Sequence, residues 1–338
     1  MAIHWWRKQP LLVAEKWKPR TWGLVDLLVC VLLLFAIQSF VYGAATRVLG
    51  IDLQEADPSQ LRSLELSAMV SCGFIATALM TALWIVLRHR TTFAHVGLST
   101  KRTGQFLFFG LIAGLCTLPV VYAISAAVTL GLDKKYEHPI LDQMVADGSL
   151  NSYFYAAFAA VIAAPIAEEL FFRVFVQGWM QSIPFSSIAS IVIGASEQKR
   201  SNAQSEFYHP FSAAGGAFAG LPGSEQPPQK GLLADDGSDP EAGSHSAELA
   251  ASEPKSNLAE QNTLPPIWPS VVTGVLFGLA HLDYGYSFVP LIVFGFVLGL
   301  IYRATQSVWP CILVHMMLNG TSIITLGVTV YAKQVIGQ

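Results

Sequence analysis

Seven long apolar runs, almost empty of charge, leave this chain few folds to choose from. They are Trp22–Thr46, Leu66–Leu87, Phe106–Leu130, Tyr153–Gln181, Trp268–Leu282, Phe288–Tyr302 and Val308–Tyr331. Most approach the roughly 20 residues that carry a helix across a hydrocarbon core of ~30 Å. Lipid offers backbone groups no hydrogen-bond partner, so a crossing segment is a helix or part of a closed barrel. None of these runs shows the two-residue alternation of barrel strands. The expected fold class is therefore all-α, a polytopic transmembrane helix bundle of about 7–8 spans with a polar intramembrane site. Charge usage agrees: Asp, Glu, Lys and Arg make up 13% of the chain, against about 25% in soluble domains.

Charge placement gives the expected orientation. Arg7, Lys8, Lys16, Lys18 and Arg20 precede the first run, which is too long for a signal-peptide core and reads as a retained anchor. The next loop carries Asp52, Glu55 and Asp57, and the loop after it Arg88, Arg90, Lys101 and Arg102. Basic loops stay inside, so the N-terminus is expected in the cytoplasm and, in a bacterial cell, the protein in the plasma membrane. Between Ser201 and Pro266 nine acidic residues face two lysines in a stretch rich in Ser, Ala, Gly and Pro. That composition reads as a disordered acidic insertion over 196–266. His209 and His245, inside it, are assigned no metal role. The short apolar run Ile188–Ile193 cannot span and is expected at the interface. Cys30, Cys72, Cys116 and Cys311 all fall in apolar runs without C-x-x-C spacing, and are expected to be buried structural thiols.

An ionisable residue inside a span costs about 2.5–3.5 kcal/mol, so each one needs a reason. The fourth run holds Pro165-Ile166-Ala167-Glu168-Glu169-Leu170-Phe171-Phe172-Arg173. Glu169 and Arg173, four apart, share a helix face and can pair, while Glu168 points about 100° away. The fifth run ends on Phe277-x-x-x-His281, and the last carries His315-x-x-x-Asn319 with imidazole and carboxamide on one face. If the three faces converge, Glu168 can take a proton from water and His and Asn groups can donate to the oxyanion of a tetrahedral intermediate. Alternatively Glu168, His281 and His315 match a three-ligand catalytic Zn²⁺ site with the fourth position left to water. Other classes stay open: a proton-coupled transporter using the carboxylates as a relay, or a non-catalytic membrane scaffold in which the polar groups are interhelical glue. No H-E-x-x-H and no G-x-S-G serine signature occurs, and Asp26 and Asp283, near span ends, read as interface residues. Straight helices would put Glu168 at mid-span but His281 at the outer end of its own. Meeting therefore requires a displaced or tilted fifth helix, or different boundaries for it.

In order and type, Glu168-Glu169-x-x-x-Arg173, Phe277-x-x-x-His281 and His315-x-x-x-Asn319 resemble the three motifs of the CAAX protease and bacteriocin-processing (CPBP) family of intramembrane endopeptidases. The resemblance implies that Glu168 and His281 activate water, that His315 and Asn319 stabilise the oxyanion, and that Glu169, Arg173 and Phe277 support them. It also implies a protease of membrane-associated or prenylated, CAAX-like protein substrates, customarily called a metalloprotease, with Zn²⁺ as the candidate cofactor. Membrane lipid and a membrane-associated protein or peptide are the expected partners, with no nucleic acid. On this reading residues 1–21 form a basic cytoplasmic segment and 22–152 the N-terminal transmembrane helices. Residues 153–185 and 267–332 form the catalytic core, interrupted by the insertion, which departs from the compact pattern of the family.

Overall fold

The computed structural model describes residues 17–52, 54–55, 63–132, 149–194 and 264–336. By backbone contacts the chain divides into Met1–Gln204 with Thr263–Gln338, and Ser205–Asn262. The second unit lies outside the described residues. So do the rest of the acidic insertion, except Leu264–Pro266, and the first sixteen positions of the basic segment.

The described residues are helical or loop, with no strand among them. Helix α1 spans Leu24–Val48, α2 Leu64–His89 and α3 Thr103–Leu132. A π-helical turn, Ala94–Leu98, separates α2 from α3. Next comes α4, a continuous rod whose segments are Leu150–Ala157, Phe158–Ala163, Ala164–Glu169, Leu170–Gln177 and Gly178–Ser182, the second and fourth of them π-helical. Short α5 is Ile188–Ile193, α6 is Trp268–Leu279, α7 is Phe288–Thr305 and α8 is Trp309–Ile336. Five segments, holding α1, α2, α3, α7 and α8, are long and apolar enough to cross a bilayer, and α6 is a shorter apolar helix. Leu32, Phe35 and Phe40 are each more than two-thirds exposed, a surface that lipid covers and water would not. The chain is thus an all-α, multi-pass membrane bundle.

One end of this bundle is tied by charged side chains. Arg20 is buried, and its guanidinium donates to the His95 carbonyl, to the Tyr302 hydroxyl at 3.0 Å and to Gln306 Oε1 at 2.7 Å. Its backbone N–H reaches Ser182 Oγ at 2.6 Å. The start of α1, the turn before α3, the end of α4 and the end of α7 therefore meet at one level. Asp26, in the first turn of α1, is fully buried rather than interfacial. Its carboxylate accepts from the Gly23 N–H at 2.9 Å, Trp84 Nε1 at 3.0 Å and Arg88 Nη1 at 2.7 Å, with His89 Nε2 at 3.0 Å. Four partners meet the cost of burying the charge. The six residues of α5 pack here too, Trp179 Nε1 donating to the Ile191 carbonyl at 3.0 Å. Two cysteines also depart from expectation: Cys30 and Cys311 are buried, but Cys72 and Cys116 are exposed on α2 and α3. A small apolar thiol loses nothing against acyl chains.

Helices α6 and α7 form a hairpin closed by small residues. A Cβ on Gly274 would stand 2.7 Å from the Phe296 backbone nitrogen, and one on Gly295 would stand 2.9 Å from Phe277 Cβ. Only hydrogen in place of a side chain allows backbones this close. At 12 residues, α6 rises about 18 Å, roughly three-fifths of the ~30 Å of a hydrocarbon core. A 3₁₀ turn, Leu282–Ser287, then reverses the chain into α7.

Candidate active site

The short α6 answers the problem of depth that straight, full-length spans created. Because it stops at Leu279, His281 opens the reversing turn instead of continuing a full-length span. His281 Nε2 stands 3.8 Å from Glu168 Oε2, and His315 Nε2, from α8, stands 4.0 Å from the same oxygen. Glu168, His281, His315 and Asn319 all line one cavity of about 860 Å³.

Local structure around Glu168 follows from its sequence. Pro165 has no N–H to give its preceding turn, and sits at the start of the regular helical segment between the two π-helical stretches. Such wide turns concentrate at functional sites. In the first of them the Ala160 carbonyl takes a hydrogen bond from Asn319 Nδ2 at 2.7 Å, so α8 is stitched to α4 beside the cavity.

The adjacent carboxylates separate as their helical positions require. Glu169 is fully buried, its Oε2 accepting from Arg173 Nε at 2.9 Å and its Oε1 lying 2.9 Å from His315 Nδ1. Arg173 is equally buried, its guanidinium 5.3 Å from the centre of the Phe277 ring. Phe277 packs against both imidazoles, at 4.9 Å from His281 and 5.5 Å from His315 between ring centres. Glu168 keeps its side chain 27% exposed, into the cavity. Its Oε2 is nevertheless shut from solvent and has no hydrogen-bond partner.

Protonation of the two imidazoles can be assigned from their outer partners. Nδ1 of His281 stands 2.7 Å from the Phe277 carbonyl, an acceptor only, so that nitrogen carries hydrogen. Nδ1 of His315 faces the Glu169 carboxylate and carries hydrogen for the same reason. In their neutral forms both rings then turn an Nε2 lone pair toward an oxygen that is also an acceptor. Three acceptors around one small space call for a donor between them, and a water molecule supplies two hydrogens.

As a metal centre this set has the right donor types but not the spacing. Ligand atoms about 2.0–2.1 Å from a tetrahedral Zn²⁺ lie roughly 3.3 Å from one another. The two separations here are 3.8 and 4.0 Å. Among the described residues no group of three or more His, Cys, Asp or Glu is placed to hold an ion. As positioned, these residues do not fit the metal.

Polar residues that the motifs did not single out lie behind the site. Thr273, Gln177 and Ser270 are fully buried between α4, α6 and α7. Gln177 Nε2 donates to the Gly299 carbonyl at 2.8 Å and to Ser270 Oγ at 3.1 Å. The readable signal was the step of four from Glu169 through Arg173 to Gln177, which continues one polar stripe along α4.

Residues 150–196 and 255–321 match the model of a family described as type II CAAX prenyl endopeptidase Rce1-like. No curated protein and no solved structure matches the chain. The matched stretches are the ones that bring Glu168, Glu169, Arg173, His281, His315 and Asn319 together, and over them the chain is similar to the Rce1-like type II CAAX prenyl endopeptidases.

Proposed function

We propose that this protein hydrolyses a peptide bond of a membrane-associated, CAAX-like protein with a water molecule activated by Glu168. The observation that carries the reading is the unpartnered Glu168 Oε2 facing two imidazole nitrogens in a cavity. Water held there gives one proton to Glu168 as its oxygen attacks the scissile carbonyl carbon. His281, fixed through Nδ1 on the Phe277 carbonyl, orients that water. The carbonyl oxygen gains negative charge and draws on donors from α8. One is Nε2–H of His315, which enters the cycle already protonated beside the Glu169 carboxylate and keeps that proton throughout; the other is the second Nδ2 hydrogen of Asn319. The C–N bond then breaks, and the proton on Glu168 passes to the leaving amine, which restores the carboxylate. Every step uses groups of the chain itself.

The end of the bundle that holds Arg20, Arg88 and Gln306 faces the cytoplasm in this reading, since Lys18, Arg90, Lys101, Arg102 and Arg303 are also on that side of the sequence alternation. Purified protein in liposomes, given prenylated and unprenylated CAAX-like peptides, tests the proposal. Cleavage is expected from the intact chain and not from Glu168→Ala or His281→Ala. Wild-type turnover by either variant overturns it.

A further inference from the structure

We infer that Thr273 is a positioning residue of this protease, which holds the Arg173 guanidinium in register so that Glu169 can orient His315. The inference rests on the peptidase reading above and names a residue outside the three motifs.

Arg173 has five N–H donors and no exposed surface. Its Nε is committed to Glu169 Oε2 in the same helix, and its Nη2 has no hydrogen-bond partner. Among the described residues its hydrogen-bonded contact with another helix is the one from Nη1 to Thr273 Oγ1, at 3.4 Å. The Thr273 hydroxyl proton has a better destination than any neighbour competing for it, the Pro269 carbonyl at 2.8 Å, against 3.3 Å to Gln177 Oε1 and 3.4 Å to the Ser270 carbonyl. With its proton pointed back into α6, the oxygen presents lone pairs to the guanidinium. Threonine is suited to this: its hydroxyl bonds the carbonyl four residues earlier, and its methyl restricts χ1.

The consequence passes along a chain of buried groups. Thr273 on α6 steadies Arg173 on α4, Arg173 takes one oxygen of Glu169, and the other oxygen holds Nδ1 of His315 on α8 at 2.9 Å. If the guanidinium swings, the carboxylate is free to turn with it, and His315 loses the partner that aims Nε2 at the reacting atoms. Thr273 itself does not line the cavity, so it makes no contact with a substrate bound there.

Packing and positioning make opposite forecasts for two substitutions. Thr273→Val keeps the volume and loses the oxygen; Thr273→Ser keeps the oxygen and loses a methyl group. A packing role makes Ser the worse variant, and a positioning role makes Val the worse. The experiment is peptide cleavage in liposomes at several substrate concentrations, with thermal melts of each variant in detergent. Thr273→Val is expected to lose on the order of tenfold in kcat with KM unchanged, the lower end of the range for groups that orient a functional residue from behind. Thr273→Ser should return kcat to within about twofold of the wild type despite an equal or lower melting temperature. Wild-type kcat in Thr273→Val, or a Ser variant as slow as Val, overturns the inference. Should Val fail to accumulate, Thr273→Cys takes its place, a weak sulfur acceptor for the oxygen, and Cys as active as Ser overturns it equally. Glu168→Ala runs alongside: cleavage by that variant would remove the peptidase reading itself. An inactive Glu168→Ala beside a fully active Thr273→Val removes only the role of Thr273.

Discussion

Glu168 and Glu169 are neighbours in sequence and opposites in environment: Glu169 is fully buried with both oxygens engaged, while Glu168 opens into a cavity with its Oε2 unpartnered. A buried charge in a closed network contributes to the fold. A carboxylate without donors costs stability and is kept for chemistry. On the proposed mechanism the pair divides into one structural and one reactive acid, with a single helical step between them.

That division predicts different losses from the same substitution. Glu168→Gln is expected to lower kcat by about 10²–10⁴-fold, the contribution of a general base, without lowering the melting temperature. Glu169→Gln leaves the Arg173 charge buried and unpaired, and should cost about 3–5 kcal/mol of stability as well as activity. Thermal melts in detergent beside cleavage assays read both. Equal destabilisation by the two variants would contradict the assignment.

The hairpin of α6 and α7 places His281, so its glycines should be sensitive in proportion to what a side chain meets. Alanine at Gly274 would push its Cβ against the Phe296 and Ile292 backbone, atoms that cannot rotate away. Gly274→Ala is expected to destabilise by about 1–3 kcal/mol and to slow cleavage. Gly43→Ala, on α1 with open space around the position, should do neither. A neutral Gly274→Ala would mean that the two backbones do not approach as closely as described.

At the tied end, Arg20 anchors four elements through neutral acceptors rather than through a carboxylate. Arg20→Met keeps much of the stem and removes the donors to Tyr302, Gln306 and the His95 carbonyl. With hydrogen bonds to a charged group contributing about 1.5–3 kcal/mol each, a loss of roughly 3 kcal/mol is expected. Tyr302→Phe, which removes one of these acceptors, should lose about half as much. Chemical denaturation in mixed micelles measures the difference, and an Arg20→Met protein as stable as the wild type would show that the clamp is idle.

What could be read from the sequence was chiefly spacing on a helix. A step of four from Glu169 to Arg173 gave their ion pair, the adjacent position gave Glu168 a different direction, and the apolar runs gave the multi-pass bundle. Apolar content alone could not give the length of α6. Trp268–Leu282 looks like a nearly full span, yet the helix stops at Leu279 because the chain must reverse where Gly285 adopts a positive φ. Asp26 misled for a related reason: near a span end a carboxylate can be solvated, and only the approach of Trp84, Arg88 and His89 from α2 buries it. Thr273 and Gln177 were hidden because a threonine or glutamine in an apolar run is unremarkable until a facing helix presents its partner.

The separations around Glu168 bear directly on cofactor demand. Donor atoms 3.8 and 4.0 Å apart exceed the roughly 3.3 Å spacing of tetrahedral zinc ligands. Both outer nitrogens are fixed, His281 by the Phe277 carbonyl and His315 by Glu169, so the imidazoles move only with α6 or α8, and the Glu168 side chain is the group left to turn. Moving α6 works against the glycine contacts that lock it to α7, and moving α8 against the bond from Asn319 to the Ala160 carbonyl. Turnover should therefore survive prolonged dialysis against EDTA and addition of 1,10-phenanthroline to within about twofold, with less than about a tenth of an equivalent of zinc in the active protein by elemental analysis. Activity that vanished on chelation and returned on adding Zn²⁺ would show that the helices do close on an ion, and that Glu168 works as its ligand rather than as the base.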